Sequence, residues 1–167
     1  MSDSNDSPTL HPTRIDMPLE IRVYVVTMLN RTLASTLDLR SQVKQAAWNV
    51  KGAECLQLRA FFSSIATELD TYTDLMAARI GVLGGVARGT VRTAALHSAL
   101  SDYPEELVDG PAHAQAMAEC FARYATAMRA DIVHTMDVED AGTASIYTEI
   151  SRKIENQLGV LDAYLHR

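Results

Sequence analysis

Apolar residues recur along most of this chain at spacings of three and four, the repeat of an amphipathic helix. Ile21, Val25, Leu29, Leu33 and Leu37 open the first stripe. Asp16 precedes it as a helix N-cap, with Pro18 and Glu20 in the first turn, so the pattern predicts a helix from there to about Asn49. At 1.5 Å per residue such a helix is roughly 50 Å long, a length that points to a bundle. Gly52 interrupts the pattern. A second long helix resumes near Glu54, with Leu58, Phe62, Ile65, Leu69, Tyr72, Met76, Ile80 and Leu83 on one face, and Gly84-Gly85 stops it.

The stretch from Gly85 to Gly110 is too long for a hairpin. Within it, Thr90 to Leu100 has the composition of a short cross-connecting helix, and Tyr103-Pro104 breaks the chain again. Gly110-Pro111 starts a third long helix, which carries Met117, Cys120, Phe121, Tyr124, Met128 and Ile132 and ends near His134. An acidic turn, Asp137 to Gly142, leads into a fourth from about Thr143 to Leu165, its buried face marked by Ile146, Ile150, Ile154, Leu158, Leu161 and Leu165. No segment alternates as a strand does. The expected fold is all-α: a four-helix bundle with one long crossover that holds a short extra helix.

Composition adds limits. The 167 residues, 47% of them apolar, fit one domain with a sizeable core. Residues 1–15 read as a flexible arm rich in Ser, Asp, Pro and Thr, and 16–167 as the bundle. A net charge of −6 offers no long-range attraction to DNA or to anionic membranes. No apolar run reaches the roughly 18 residues of a membrane span, and the first sixteen contain no apolar signal core, so a cytoplasmic location is expected. Cys55 and Cys120 read as buried, reduced thiols, with a disulfide between them as the alternative. There is no internal repeat, Gly-rich phosphate loop or Ser-His-Asp signature, and no residue is assigned a catalytic role. His11, His97, His113, His134 and His166 form no ligand pair at a telling spacing and are expected to be solvated or in the core.

The turn between the first two helices carries more information. Ala47-Trp48-Asn49-Val50-Lys51-Gly52 resembles the His-Trp-Asn-x-x-Gly signature of the Dps family, small ferritin-like proteins of starved bacterial cells. Leu83-Gly-Gly-Val-Ala-Arg-Gly-Thr90 is similar to that family's turn after the second helix, and Ser101-Asp-Tyr-Pro104 to its stop before the third. Thr143 to Arg152 and Leu158 to Leu165 resemble its last helix. On these motifs the chain is identified as an atypical member. The resemblance implies a ferritin-like bundle and a hollow shell, usually of twelve subunits, that protects cells from peroxide by oxidising and storing iron.

The resemblance also implies where iron would be oxidised. The family's site spans a two-fold interface: a His before the Trp and a His and an acid four residues apart on the second helix, completed by Asp-x-x-x-Glu from the other subunit. One helical turn aligns such pairs, and iron favours oxygen ligands with some imidazole. Here the matching positions are Ala47, Arg59, Ser63, Asp74 and Ala78. Asp74 alone matches, so no tightly bound di-iron centre is expected, and iron binding would be weak or confined to mineral. Arg59 is expected to pair with Asp74 of the neighbouring subunit, since an unpartnered buried carboxylate is costly; the alternative is that both side chains reach water and never meet. Glu68, Asp70 and Asp74 could instead be a solvated face or nucleate mineral on a shell's inner wall. Asp137, Glu139 and Asp140 match the family's three-fold channels, where a ring of acids would concentrate cations; an ordinary exposed turn is the alternative. Trp48 reads as interface packing. The arm has Arg14 and no lysine, so direct DNA binding through it is not expected.

Three functions follow. One is a shell for iron sequestration and protection from oxidative stress whose ferroxidase site has degenerated, acting alone or in a mixed shell with a ferroxidase-active relative. Another is an active ferroxidase with relocated ligands. The third is a structural or interaction protein that kept the bundle and dropped iron.

Overall fold

The computed structural model describes residues 10–166, and the first nine residues of the expected arm lie outside them. Five helices follow in order: α1 (Leu19–Asn49), α2 (Cys55–Val82), α3 (Val91–His97), α4 (Gly110–Asp137) and α5 (Ala141–Leu165). The α1–α2 and α4–α5 pairs pack side by side, contacts of α1 with α4 and of α2 with α5 close the bundle, and α3 lies on α1. Among the described residues there is no strand, and no helix is long and apolar enough to cross a membrane. The architecture is the expected all-α four-helix bundle with a short helix in its crossover.

The predicted stripes point inward because each buries about every third or fourth residue. Leu29 and Leu33 of α1, Phe62, Ile65, Leu69 and Met76 of α2, Phe121 and Tyr124 of α4, and Tyr147 and Ile150 of α5 meet in one core. Three helix starts are capped by side chains: Thr90 accepts from the Thr93 N–H, Asp109 from that of Ala112, and Asp140 from that of Thr143.

Three boundaries differ from the sequence reading. Asp16 does not cap α1. Pro18 is extended at ψ 145°, and the helix begins at Leu19 without a side-chain cap. A residue preceding proline is disfavoured in helical conformation, which keeps Met17 and Asp16 out of the first turn. The other end of the bundle shows the opposite change, with α4 running past His134 to Asp137 and Glu139 breaking it at φ 59°. Cys55 is half-exposed rather than buried; Cys120 is buried, and both thiols are free.

Leu10 to Thr13 close the end of α2. Gly84 takes φ +84°, and its carbonyl accepts the His11 N–H at 2.7 Å. A Cβ at Gly84 would run into the His11 carbonyl, so the turn requires glycine. Arg22 of α1 donates to the Leu83 carbonyl at 3.2 Å, placing a cation on the carbonyl-rich helix end.

A polar seam crosses the apolar core. Arg31 Nη2 donates to Asp131 Oδ1 at 2.7 Å, and the Thr32 hydroxyl donates to Asp131 Oδ2 at 2.9 Å. With the Thr32 proton directed there, the Tyr147 hydroxyl donates to Thr32 Oγ1 at 3.3 Å. Thr36 gives its proton to the Thr32 carbonyl, so Tyr124 donates to Thr36 Oγ1 at 2.6 Å. Burial outweighs the help from Arg31, Thr32 and His134 and pushes the Asp131 carboxyl above its ordinary value of 3.8. The folded chain therefore holds that proton to higher pH than the unfolded chain does, and stability falls as pH rises from about 4 through the raised value. Asp131→Asn removes this titration. Denaturation midpoints measured from acid to neutral pH are expected to improve in the variant relative to wild type as pH rises, and a constant offset would contradict the assignment.

Candidate functional site

Helical geometry places two faces on α2. Leu58, Phe62, Ile65, Leu69, Tyr72, Met76 and Ile80 fill the core, while Arg59, Ser63, Asp70, Asp74 and Ala78 follow spacings of four and seven along a neighbouring stripe. Arg59, Asp70, Asp74 and Ala78 are exposed and Ser63 is half-buried. Arg59 and Asp74 are fifteen residues apart on one straight helix, or about 22 Å. They cannot meet within one chain. Neither makes an ion pair among the described residues, and each faces outward.

The acids of this stripe are not equivalent. Asp70 is held by Arg40 of α1 through Nε, a charge contact rather than an aligned hydrogen bond. Glu68 accepts from Gln157 Nε2 of α5 at 3.0 Å, so it ties α2 to the other half of the bundle. Of the three, Asp74 alone has no partner among the described residues of its own chain.

The end of α1 completes this region. Ala47 is 2% exposed, so a methyl group fills the core where the family pattern has imidazole. Next to it Trp48 is 66% exposed, with the Lys44 ammonium 5.7 Å from its ring centre. This large aromatic is turned to solvent rather than into the core.

As a donor set the five positions suit iron poorly. Ala47 and Ala78 have no donor atom, Arg59 is a cation, Ser63 offers a neutral hydroxyl, and Asp74 supplies one carboxylate. Within a single chain, no group of three or more His, Cys, Asp or Glu among the described residues is placed to hold a metal ion.

The three channel candidates separate. Asp137 and Glu139 are exposed at the α4–α5 turn. Asp140 is not available to a channel: it is 1% exposed, ion-paired with Arg79 at 2.6 Å, and caps α5. The buried carboxylate is needed for the unsatisfied N–H groups of the α5 start, which pulls it inward.

Of the histidines, His113 is the buried one, 1% exposed, with the Tyr103 hydroxyl on Nδ1. Burial lowers its affinity for a proton and raises that of the Tyr103 phenol to about 12, as expected for a neutral pair in the core. His11, His97, His134 and His166 are exposed. Two features escaped the sequence reading, the Arg40–Asp70 pair and the buried Asp131. A signal for the latter existed: Asp131 continues the core spacing Tyr124–Met128 by three residues, a carboxylate on an apolar stripe.

The four-helix fold is that of a ferritin-like protein, and the ferritin-like domain family matches residues 26–167. A DNA protection during starvation protein of Agrobacterium fabrum is 32% identical over 93% of this chain and 96% of its own length. DpsC from Streptomyces coelicolor superposes with a TM-score of 0.89 at 26% identity, over 94% of this chain and 92% of that one. DpsA14 from the same organism gives 0.90 at 24%, covering 95% and 94%. The chain belongs to the Dps family of ferritin-like proteins, whose general role is iron sequestration and protection under stress.

Proposed function

We propose that this chain assembles into a closed homo-oligomeric shell in the cytoplasm, twelve copies to a particle, that holds iron as cargo and has given up the family's inter-subunit oxidation site. The observation that carries this reading is the α2 stripe: where the family pattern has three carboxylates and two imidazoles, this chain presents Ser63, Asp74 and Ala78 for the acids and Arg59 and Ala47 for the histidines. Two copies of α2 running antiparallel would bring Arg59 of one within reach of Asp74 of the other, twice, by two-fold symmetry. A guanidinium then stands in the place of the metal and neutralises the acid. Small residues between them (Ser63, Ser64 and Thr67) allow the two backbones to approach closely. Trp48, exposed in the single chain, would be covered by the same contact.

Asp137 and Glu139 are the proposed channel acids, with Asp140 removed from the set. Direct duplex DNA binding is not part of this reading, and a ferroxidase-active relative in a mixed shell is a compatible partner.

The test is iron oxidation. Purified protein given Fe(II) and peroxide is expected to oxidise iron no faster than the buffer blank, yet to carry iron through a sizing column at the mass of twelve 18.3 kDa chains. Turnover well above the blank would assign the protein to the ferroxidases, and a monomeric mass would remove the cavity and the storage role with it.

A further inference from the structure

Three phenols lie in the core of the bundle, Tyr72 of α2, Tyr124 of α4 and Tyr147 of α5, and they end on different partners. Tyr72 feels Glu68 and Glu149 through charge alone. The Tyr124 hydroxyl donates to Thr36, whose own proton goes to the Thr32 carbonyl, so this chain of hydrogen bonds stops at a backbone amide. The Tyr147 hydroxyl donates to Thr32, whose proton goes to Asp131, so this one stops at a carboxylate, a base. We propose that Tyr147 is a redox-active tyrosine, which yields one electron to a one-electron oxidant while Asp131 takes up its phenolic proton through Thr32.

A phenol that loses an electron becomes a strong acid, and a cation left in an apolar core is costly. A buried tyrosine is therefore oxidised readily where a base can take its proton in the same step. The step balances. Tyr147 loses one electron and its O–H bond breaks; that proton joins Thr32 Oγ1 as the Thr32 proton passes to Asp131 Oδ2; the oxidant is reduced by one electron. A neutral phenoxyl radical and a neutral carboxylic acid remain. The two links measure 3.3 Å and 2.9 Å, and charge developing on the phenol shortens the longer one. The Thr32 proton has a second acceptor in the Met28 carbonyl at 3.1 Å, but the carboxylate is the closer and charge-assisted one. Burial pushes the Tyr147 phenol far above its ordinary value of 10, so it keeps its proton until an electron leaves. Arg31 and His134, both more than half open to water or at its edge, carry Asp131 to the surface. The ring itself is fully buried, which shields the radical from coupling with a second one. All these groups belong to one chain, so the inference stands apart from the shell reading.

Flash-generated tris(bipyridine)ruthenium(III), added to the full-length protein in alkaline buffer where Asp131 is ionised, tests the proposal. Samples frozen at increasing delays are read by electron paramagnetic resonance. A long-lived neutral phenoxyl signal is expected, outlasting the signals of exposed Tyr24 and Trp48. Tyr147→Phe, which keeps the ring in the core, is expected to abolish it. Asp131→Asn keeps the shape of the seam but cannot take the proton, and is expected to abolish it too; this variant carries the test if Tyr147→Phe melts early. Tyr124→Phe is expected to leave the signal unchanged. The absence of a long-lived signal in the wild type, its survival in Tyr147→Phe or Asp131→Asn, or its loss in Tyr124→Phe would overturn the assignment.

Discussion

Arg59→Glu is expected to split the particle into smaller species on native mass analysis, and Asp74→Arg added to the same chain is expected to restore it. The single substitution sets a glutamate against the partner's Asp74 at both symmetric contacts of each two-fold interface. Like charges brought together at an interface cost several kcal/mol, and every two-fold contact in a closed shell repeats the penalty. The double variant reverses each pair and recovers the attraction. Within one chain the two positions stand about 22 Å apart and share no contact, so rescue between them can arise only across subunits. Arg59→Glu particles that keep the wild-type mass would show that these side chains reach water without meeting. Added salt is expected to weaken assembly moderately in the wild type and to relieve the single variant, because the charges are screened.

The second large effect falls on the α4–α5 turn. Asp140 accepts the Thr143 N–H at 3.0 Å and the Thr143 hydroxyl at 2.5 Å, while Arg79 reaches Asp140 at 2.6 Å and donates from Nε to Thr143 Oγ1 at 3.0 Å. Asp140→Ala removes the cap of α5 and leaves the Arg79 guanidinium, 17% exposed, against a pocket shaped for a carboxylate. Breaking one partner of a buried pair costs about 3–5 kcal/mol, and losing a cap about 1 kcal/mol. At a few degrees per kcal/mol for a chain of this size, the melting temperature is expected to drop by roughly 10 °C. Asp140→Asn keeps an oxygen for the cap and is expected to lose clearly less. Equal losses in calorimetry would mean that charge, not capping geometry, holds the turn. A channel role predicts no loss of stability from either variant.

The candidate site was legible mainly through what it lacks. Alanine at 47 and 78 supplies no ligand in any fold, so the weakness of the donor set could be read before any coordinates. Asp70 was different. It shares the stripe with Asp74 and is the same residue type, and only the approach of α1 reveals that Arg40 occupies it. The acidic turn misled for a related reason. Asp137, Glu139 and Asp140 look alike as letters, but the start of α5 needs a carboxylate at one position only, and that one turns inward.

The long helices, their breaks at Gly52, Gly84 and Pro104, and the inward stripes are properties of the sequence itself. They rest on backbone propensities and on a repeat that any window of a dozen residues contains. The Arg31–Asp131 seam and the Arg79–Asp140 clasp are properties of the tertiary structure. Each joins residues distant in the chain, and whether a charge there is buried, paired or open to a ligand depends on which helix faces the bundle sets against one another.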